Sequence, residues 1–321
     1  MQYLLLFSVL FVIFYIYIKL AFRYSIVDKP NNRSSHSNET VRGGGIIIPI
    51  SALIWFVFSG FQFPLFFSGL IIIGFISFLD DLSYVSPKFR LIIHIVAILL
   101  LFSETQLYQL QWWIWISALI ISVGIINAYN FMDGINGITG GYSLAILIAI
   151  WFVNNYQVAF ISNDFIYYII ISITIFFYFN FRKKAKCFAG DVGSISIAFI
   201  IVFLLTKLII QSENWLYILF LCIYGIDTGI TMLYRIKQKE DIFIPHRKHL
   251  YQLLVNEYKI SQLKVAVIYI FLQLIICLII FIVSSRNNGF MENLIIGVST
   301  ILIFTTAFHL MRFHINHQLM Q

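Results

Sequence analysis

Long apolar runs alternate with short polar breaks along the whole chain. Eleven runs read as helices, at about 3–22, 44–62, 64–79, 89–103, 112–129, 140–153, 165–180, 194–210, 215–233, 263–283 and 294–311. Around 20 apolar residues in helical form cross a ~30 Å hydrocarbon core. The pattern therefore predicts an all-α polytopic integral membrane protein with about eleven transmembrane helices. The runs at 64–79 and 140–153 are short, so their ends are set loosely. The first run, YLLLFSVLFVIFYIYIKLAF, has no basic leader and no small-residue cleavage site after it. It reads as a retained span rather than a signal peptide. Residues 1–321 read as one transmembrane domain with no separate soluble unit.

Composition agrees with this pattern, since only 11% of the residues are charged against about 25% in soluble domains. Cys187, Cys222 and Cys277 form no CxxC pair, so neither a disulfide framework nor a zinc site is expected. The net charge of +7 matters through its placement. With residues at span ends assigned to the nearer side, the breaks at 23–43, 80–88, 130–139, 181–193 and 234–262 and the C-terminal tail hold 19 of the 21 Lys and Arg residues. The alternate breaks hold only Arg286 and Lys207. Excess Lys and Arg marks the cytoplasmic side. The N-terminus is expected outside and the C-terminus in the cytoplasm, in a multi-pass protein of the inner or plasma membrane. No nucleic-acid partner is expected. Ten of the 14 acids share the cytoplasmic set, so chemistry is expected at that interface.

Five breaks carry the chemistry. The first, DKPNNRSSHSNETVRGGG, offers Arg33, His36 and Arg42 for phosphate, and glycines whose N–H groups can approach an anion. A positive-inside loop explains its arginines about as well. In the second, FLDDLSYVSPKFR, Asp80 and Asp81 end a span at its dipole-negative end. A cation such as Mg²⁺ would relieve both charges; ordinary counter-charge from Lys88 and Arg90 is the plainer alternative. In the third, NAYNFMDGINGITGG, the residues Asn127, Asn130, Asp133 and Asn136 recur every three positions. They suit a nucleobase edge and a ribose, or else glue between helices. In the fourth, FRKKAKCFAGDVGS, Asp191 opens a helix, where an anion or a metal bridging to phosphate is favoured; Ser194 suits an N-cap. The fifth, PHRKH, sets His246, Arg247, Lys248 and His249 after a proline, a cationic group suited to a diphosphate or to an anionic membrane surface.

These five motifs, in this order and covering almost the whole chain, resemble the polyprenyl-phosphate N-acetylhexosamine-1-phosphate transferases, the glycosyltransferase family 4 type. The resemblance implies transfer of a sugar-1-phosphate from a UDP-N-acetylhexosamine to undecaprenyl phosphate, with release of UMP. It implies Mg²⁺, with Mn²⁺ as a substitute, a cytoplasmic-face site, and an assembly for which a homodimer is allowed. Carried over by motif, Asp191 ligates the metal. Asp80 and Asp81 serve metal, diphosphate or lipid phosphate. Asn127, Asn130 and Asp133 help form the nucleotide pocket, and His249 with its neighbours binds diphosphate.

The phospho-MurNAc-pentapeptide branch carries three histidines where this chain has HRKH, and an aspartate where it has Asn136. Both departures argue against a MurNAc-pentapeptide substrate, and the RSSH and RGGG wording resembles the O-antigen-initiating branch, whose sugars include GlcNAc, QuiNAc and FucNAc. A transporter or flippase for lipid-linked sugars is the rival from another class, with His94 and Asp227 as its best midplane groups. A CDP-alcohol phosphotransferase would need a DGxxAR…GxxxDxxxD helix, which the chain does not contain.

Overall fold

The computed structural model describes residues 1–28, 39–241, 246–286 and 289–319. Twelve α-helices are assigned among them: α1 (Gln2–Arg23), α2 (Ile47–Phe58), α3 (Pro64–Leu82), α4 (Pro87–Glu104), α5 (Trp112–Met132), α6 (Ile138–Tyr156), α7 (Asn163–Asn180), α8 (Gly190–Ser212), α9 (Cys222–Lys237), α10 (Leu250–Asn256), α11 (Gln262–Ser284) and α12 (Phe290–Leu319). Each of the eleven predicted runs has a helical counterpart. Nine segments among the described residues are long and apolar enough to cross a membrane, and Gly44–Phe58 is a shorter apolar helix. The chain is an all-α, multi-pass membrane protein.

Local signals explain where helices begin. Pro64 and Pro87 occupy first-turn positions, where a missing N–H costs nothing. The Ser86 hydroxyl accepts the Phe89 N–H at 3.3 Å, and the Glu104 carboxylate accepts those of Leu65 and Phe66 at 2.7 and 3.2 Å. The ends differ from the sequence expectation by a few residues, and the difference matters. Asp80 and Asp81 lie inside α3, Asn130 inside α5 and Asp191 inside α8, not in loops. Ser194 is likewise no N-cap: it sits a turn into α8, where its hydroxyl donates to the Gly190 carbonyl at 3.0 Å.

The predicted run 215–233 is not uniform. Trp215–Leu221 is 3₁₀ and only then does α9 begin. Changing helix type inside a bundle leaves backbone groups unpaired. The buried Gln273 of α11 supplies them: its amide nitrogen donates to the Leu219 carbonyl at 3.1 Å, and its oxygen accepts the Ile223 N–H at 3.1 Å.

The core centres on α8, whose most apolar 18-residue stretch is 78% buried, against 22% for that of α1. It packs against α3 and α5, and α3 packs against α4. Two short antiparallel strands, β1 (Val27–Asp28) and β2 (Thr40–Val41), lie before α2, with Val41 bridged to Cys187. Periodicity held no sign of two-residue strands.

Candidate active site

The C-terminal ends of α3 and α5 and the N-terminal ends of α4 and α8 converge with the segment before α10 on a cavity of about 830 Å³. It is lined by Arg42, Asp80, Asp81, Arg90, His94, Asn127, Asn130, Asp191, His246 and His249, with apolar walls that include Leu82, Phe131 and Met232. Residues spread over more than 200 positions of sequence meet here.

The neighbouring aspartates have different environments. One Asp81 carboxylate oxygen accepts the Asp191 N–H and the other the Val192 N–H, each at 3.0 Å. Asp81 thus caps the first turn of α8, whose own N-cap residue Ala189 offers no side-chain acceptor. The amides and positive dipole end of α8 offset part of its charge. The same contacts occupy the amides that were expected to hold a phosphate. Gly190 is required here: its φ is +70°, and a Cβ would stand 2.5 Å from the Asp81 carboxylate.

The three glycines before α2 are also corrected. The Gly44 and Gly45 N–H groups donate to the Phe188 and Ala189 carbonyls at 2.8 and 3.0 Å, so neither is offered to an anion. A Cβ on Gly45 would lie 2.2 Å from the Gly193 α-carbon. These glycines let α8 approach the start of α2.

Asp80 faces the cavity. One of its oxygens accepts the Val85 N–H at 2.8 Å and the other takes Nη1 of Arg90. The same Nη1 donates to Asp191 at 2.7 Å, and the Asn130 amide donates to the other Asp191 oxygen at 2.8 Å. Two carboxylates from different helices therefore share one guanidinium nitrogen, at a point built to stabilise positive charge. Among the described residues, no group of three or more His, Cys, Asp and Glu side chains is arranged to hold a metal by itself. Mg²⁺ uses one or two carboxylates, with water and substrate phosphate completing its shell. The Asp80–Asp191 pair fits that requirement.

Other expected residues divide clearly. Arg42 lines the cavity, donates to the Asp81 carbonyl at 3.3 Å and lies 3.8 Å from Asp28. Asn127 lines the cavity while its amide donates to Val123 of its own helix at 2.8 Å. Asn136 does not reach it. The three-residue spacing stops being helical after Met132, and the Asn136 amide is buried against the Arg182 carbonyl at 2.8 Å. Arg247 is exposed and is not among the lining residues. Arg33 and His36 lie outside the described residues.

The basic run is partly spent on structure. Lys248 pairs with Glu240, which also accepts from the buried Arg235 at 3.2 Å. Burial, reinforced by the neighbouring His249 and Arg235, pushes the His246 imidazole down to about 4. It is neutral at physiological pH, and so offers a hydrogen bond rather than a cation.

Asp133 stands just beyond α5 and is not among the lining residues. Burial pushes its carboxyl up to about 7; the Thr139 hydroxyl opposes this and the Asp191 charge adds to it. The folded value is raised above that of the unfolded chain, so the proton is held more tightly in the fold. Stability is fully kept at low pH and falls as pH rises from about 4 to about 7. The melting temperature of the solubilised protein is expected to drop between pH 5 and pH 8, and Asp133→Asn should flatten that drop. Equal slopes in the two proteins would contradict the assignment.

Three groups at or near the cavity were not chosen from sequence. Arg90 stood only as ordinary counter-charge, ten positions after Asp80. His94 was assigned to the rival transporter reading; it lines the cavity, one turn after Arg90 on the same helix, with its Nε2 unpaired among the described residues. Asp227, assigned likewise, sits behind His249.

Comparison with known proteins finds a family model and named relatives. The family model described as glycosyl transferase family 4 matches residues 63–209, a stretch that contains Asp80, Arg90, Asn130 and Asp191. A Bacillus subtilis (strain 168) protein named "Probable undecaprenyl-phosphate N-acetylglucosaminyl 1-phosphate transferase" is 27% identical over 274 residues, covering 78% of this chain and 76% of its own. The undecaprenyl-phosphate alpha-N-acetylglucosaminyl 1-phosphate transferase of Escherichia coli (strain K12) is 26% identical over 268 residues, covering 74% and 71%. The matched segment forms the carboxylate end of the cavity, and over it the chain is similar to glycosyl transferase family 4.

Proposed function

We propose that the protein transfers an N-acetylhexosamine-1-phosphate from a UDP-sugar to undecaprenyl phosphate and releases UMP. The observation that carries this reading is the pair Asp80 and Asp191 facing one cavity together with His246, His249 and Arg42. The names of the relatives support undecaprenyl phosphate as acceptor and GlcNAc as the sugar. The RSSH and RGGG wording favours an O-antigen-type polymer as the product that this lipid starts. The positive-inside distribution supports a cavity on the cytoplasmic face, with the N-terminus outside.

The cavity meets both solvent and lipid needs. Its apolar wall suits a prenyl chain, and its polar floor suits a diphosphate. His249, His246 and Arg42 hold the diphosphate of the donor, and Asn127 and Asn130 border the nucleoside. Asp80 and Asp191 would hold one divalent cation, which screens the charge of the diphosphate and of departing UMP. The lipid phosphate has a second pKa of about 6 and is mostly a dianion at neutral pH, so it needs alignment rather than a base. One of its oxygens bonds to the β-phosphorus, and the bond from that phosphorus to the bridging oxygen breaks. UMP leaves with the electron pair. Asp81 is committed to two helix amides, which favours this single displacement over a covalent aspartyl intermediate at that residue.

Purified protein given Mg²⁺, undecaprenyl phosphate and a panel of labelled UDP-N-acetylhexosamines is expected to move label into the lipid phase from one donor, with UMP formed in equal amount. Label moving without UMP release would contradict sugar-1-phosphate transfer. Folded protein that moves no label from any donor would contradict the whole reading.

A further inference from the structure

His249 reaches the cavity from a short loop, and the group that fixes it lies in another helix. The Asp227 carboxylate of α9 is 1% exposed. It accepts the Leu250 N–H at 2.8 Å and the Tyr251 N–H at 3.4 Å, the first amides of α10. The Tyr269 hydroxyl of α11 donates to it at 2.7 Å and the Thr231 hydroxyl at 3.3 Å. Arg312 of α12, itself buried, donates in turn to Thr231 at 2.9 Å. On its remaining side, Asp227 stands 3.6 Å from Nδ1 of His249.

A seven-residue helix is too short to be stable alone, so the position of α10 is set by what holds its first turn. An acidic or hydroxyl residue at 249 would serve as a local cap. The chain instead has histidine there and takes the capping carboxylate from α9. Burying that carboxylate costs several kcal/mol unless it is well paired. Its partners come from α9, α10 and α11, with α12 reached through Thr231. A cap alone does not require this arrangement. It leaves position 249 free for a ring that lines the cavity, with the His246 ring 4.9 Å away.

We propose that Asp227 is a positioning residue for His249. It fixes the first turn of α10 and faces the Nδ1 edge of the imidazole at 3.6 Å, leaving the opposite edge for the diphosphate. Arg312 supports it through Thr231. The inference rests on the diphosphate role given to His249 above.

The test is a double-substitution cycle in the full-length solubilised protein, with UDP as the probe. The UDP dissociation constant and the melting temperature are measured for wild type, Asp227→Asn, His249→Gln and the double variant. Arg312→Met is the second route, since it leaves Asp227 intact. Outer-shell partners typically carry 10–100-fold effects, so Asp227→Asn is expected to weaken UDP by about tenfold. The double variant should bind no more than about threefold worse than His249→Gln, and Arg312→Met should weaken binding in the same direction. Multiplying effects would overturn the proposal, as would a lower melting temperature with unchanged UDP affinity in both Asp227→Asn and Arg312→Met. UDP affinity unchanged in His249→Gln would overturn the role of His249 and the positioning with it. Normal UDP binding and an intact cycle in a protein that transfers no sugar would uphold the positioning and overturn only the proposed reaction.

Discussion

Asp191→Asn is expected to cut sugar-1-phosphate transfer by about 1,000-fold, because a metal-holding carboxylate contributes several kcal/mol of charge stabilisation and each ~1.4 kcal/mol is tenfold. The fold should survive. Asparagine keeps the size of the side chain and can still accept from the Asn130 amide, which reaches one Asp191 oxygen at 2.8 Å. The other oxygen, at 2.7 Å from Arg90, is where the lost charge is felt. A melting temperature within a few degrees of wild type, with transfer near background, is the expected pair of results. Transfer reduced only a few-fold would remove Asp191 from the reaction.

The second large effect separates two residues that sequence could not. Asp80→Asn should behave like Asp191→Asn, folded and inactive. Asp81→Ala should instead fail in stability, by about 3 kcal/mol, because it strands two buried amides at the start of α8. Gly190→Ala is expected to resemble it, since the new methyl would meet the Asp81 carboxylate at 2.5 Å and sit at φ +70°. Thermal melts of the three variants decide this. Equal melting temperatures for Asp80→Asn and Asp81→Ala would mean that the amide contacts of Asp81 contribute little.

The helices were legible because their signal is local: an apolar run bounded by polar residues needs no partner to be recognised. The five motifs were legible for the same reason, and most of the residues chosen from them meet at one cavity. What escaped depends on distant partners. Nothing near Asp81 says that its carboxylate will cap a helix beginning more than 100 positions later. The glycines before α2 looked like an anion loop, because close packing of Gly45 on Gly193 involves a second motif far along the chain. Arg90 reads as positive-inside charge until its guanidinium is seen between two carboxylates. Asn136 was misplaced by extending helical spacing past Met132, where the helix ends. The seven-residue α10 was too short for periodicity to reveal, although Gln252, three positions after His249, was a capping signal.

If Asp80 and Asp191 together hold a divalent cation at the floor of the cavity, its binding depends on both carboxylates. Mn²⁺ binding, followed by electron paramagnetic resonance on the purified protein with UDP present, tests it most directly. One tight site is predicted in wild type. It should be lost in Asp80→Asn and in Asp191→Asn, and kept in Asn136→Ala, whose side chain is turned away from the cavity. A tight site that survives both aspartate substitutions would place the cation elsewhere and contradict the account.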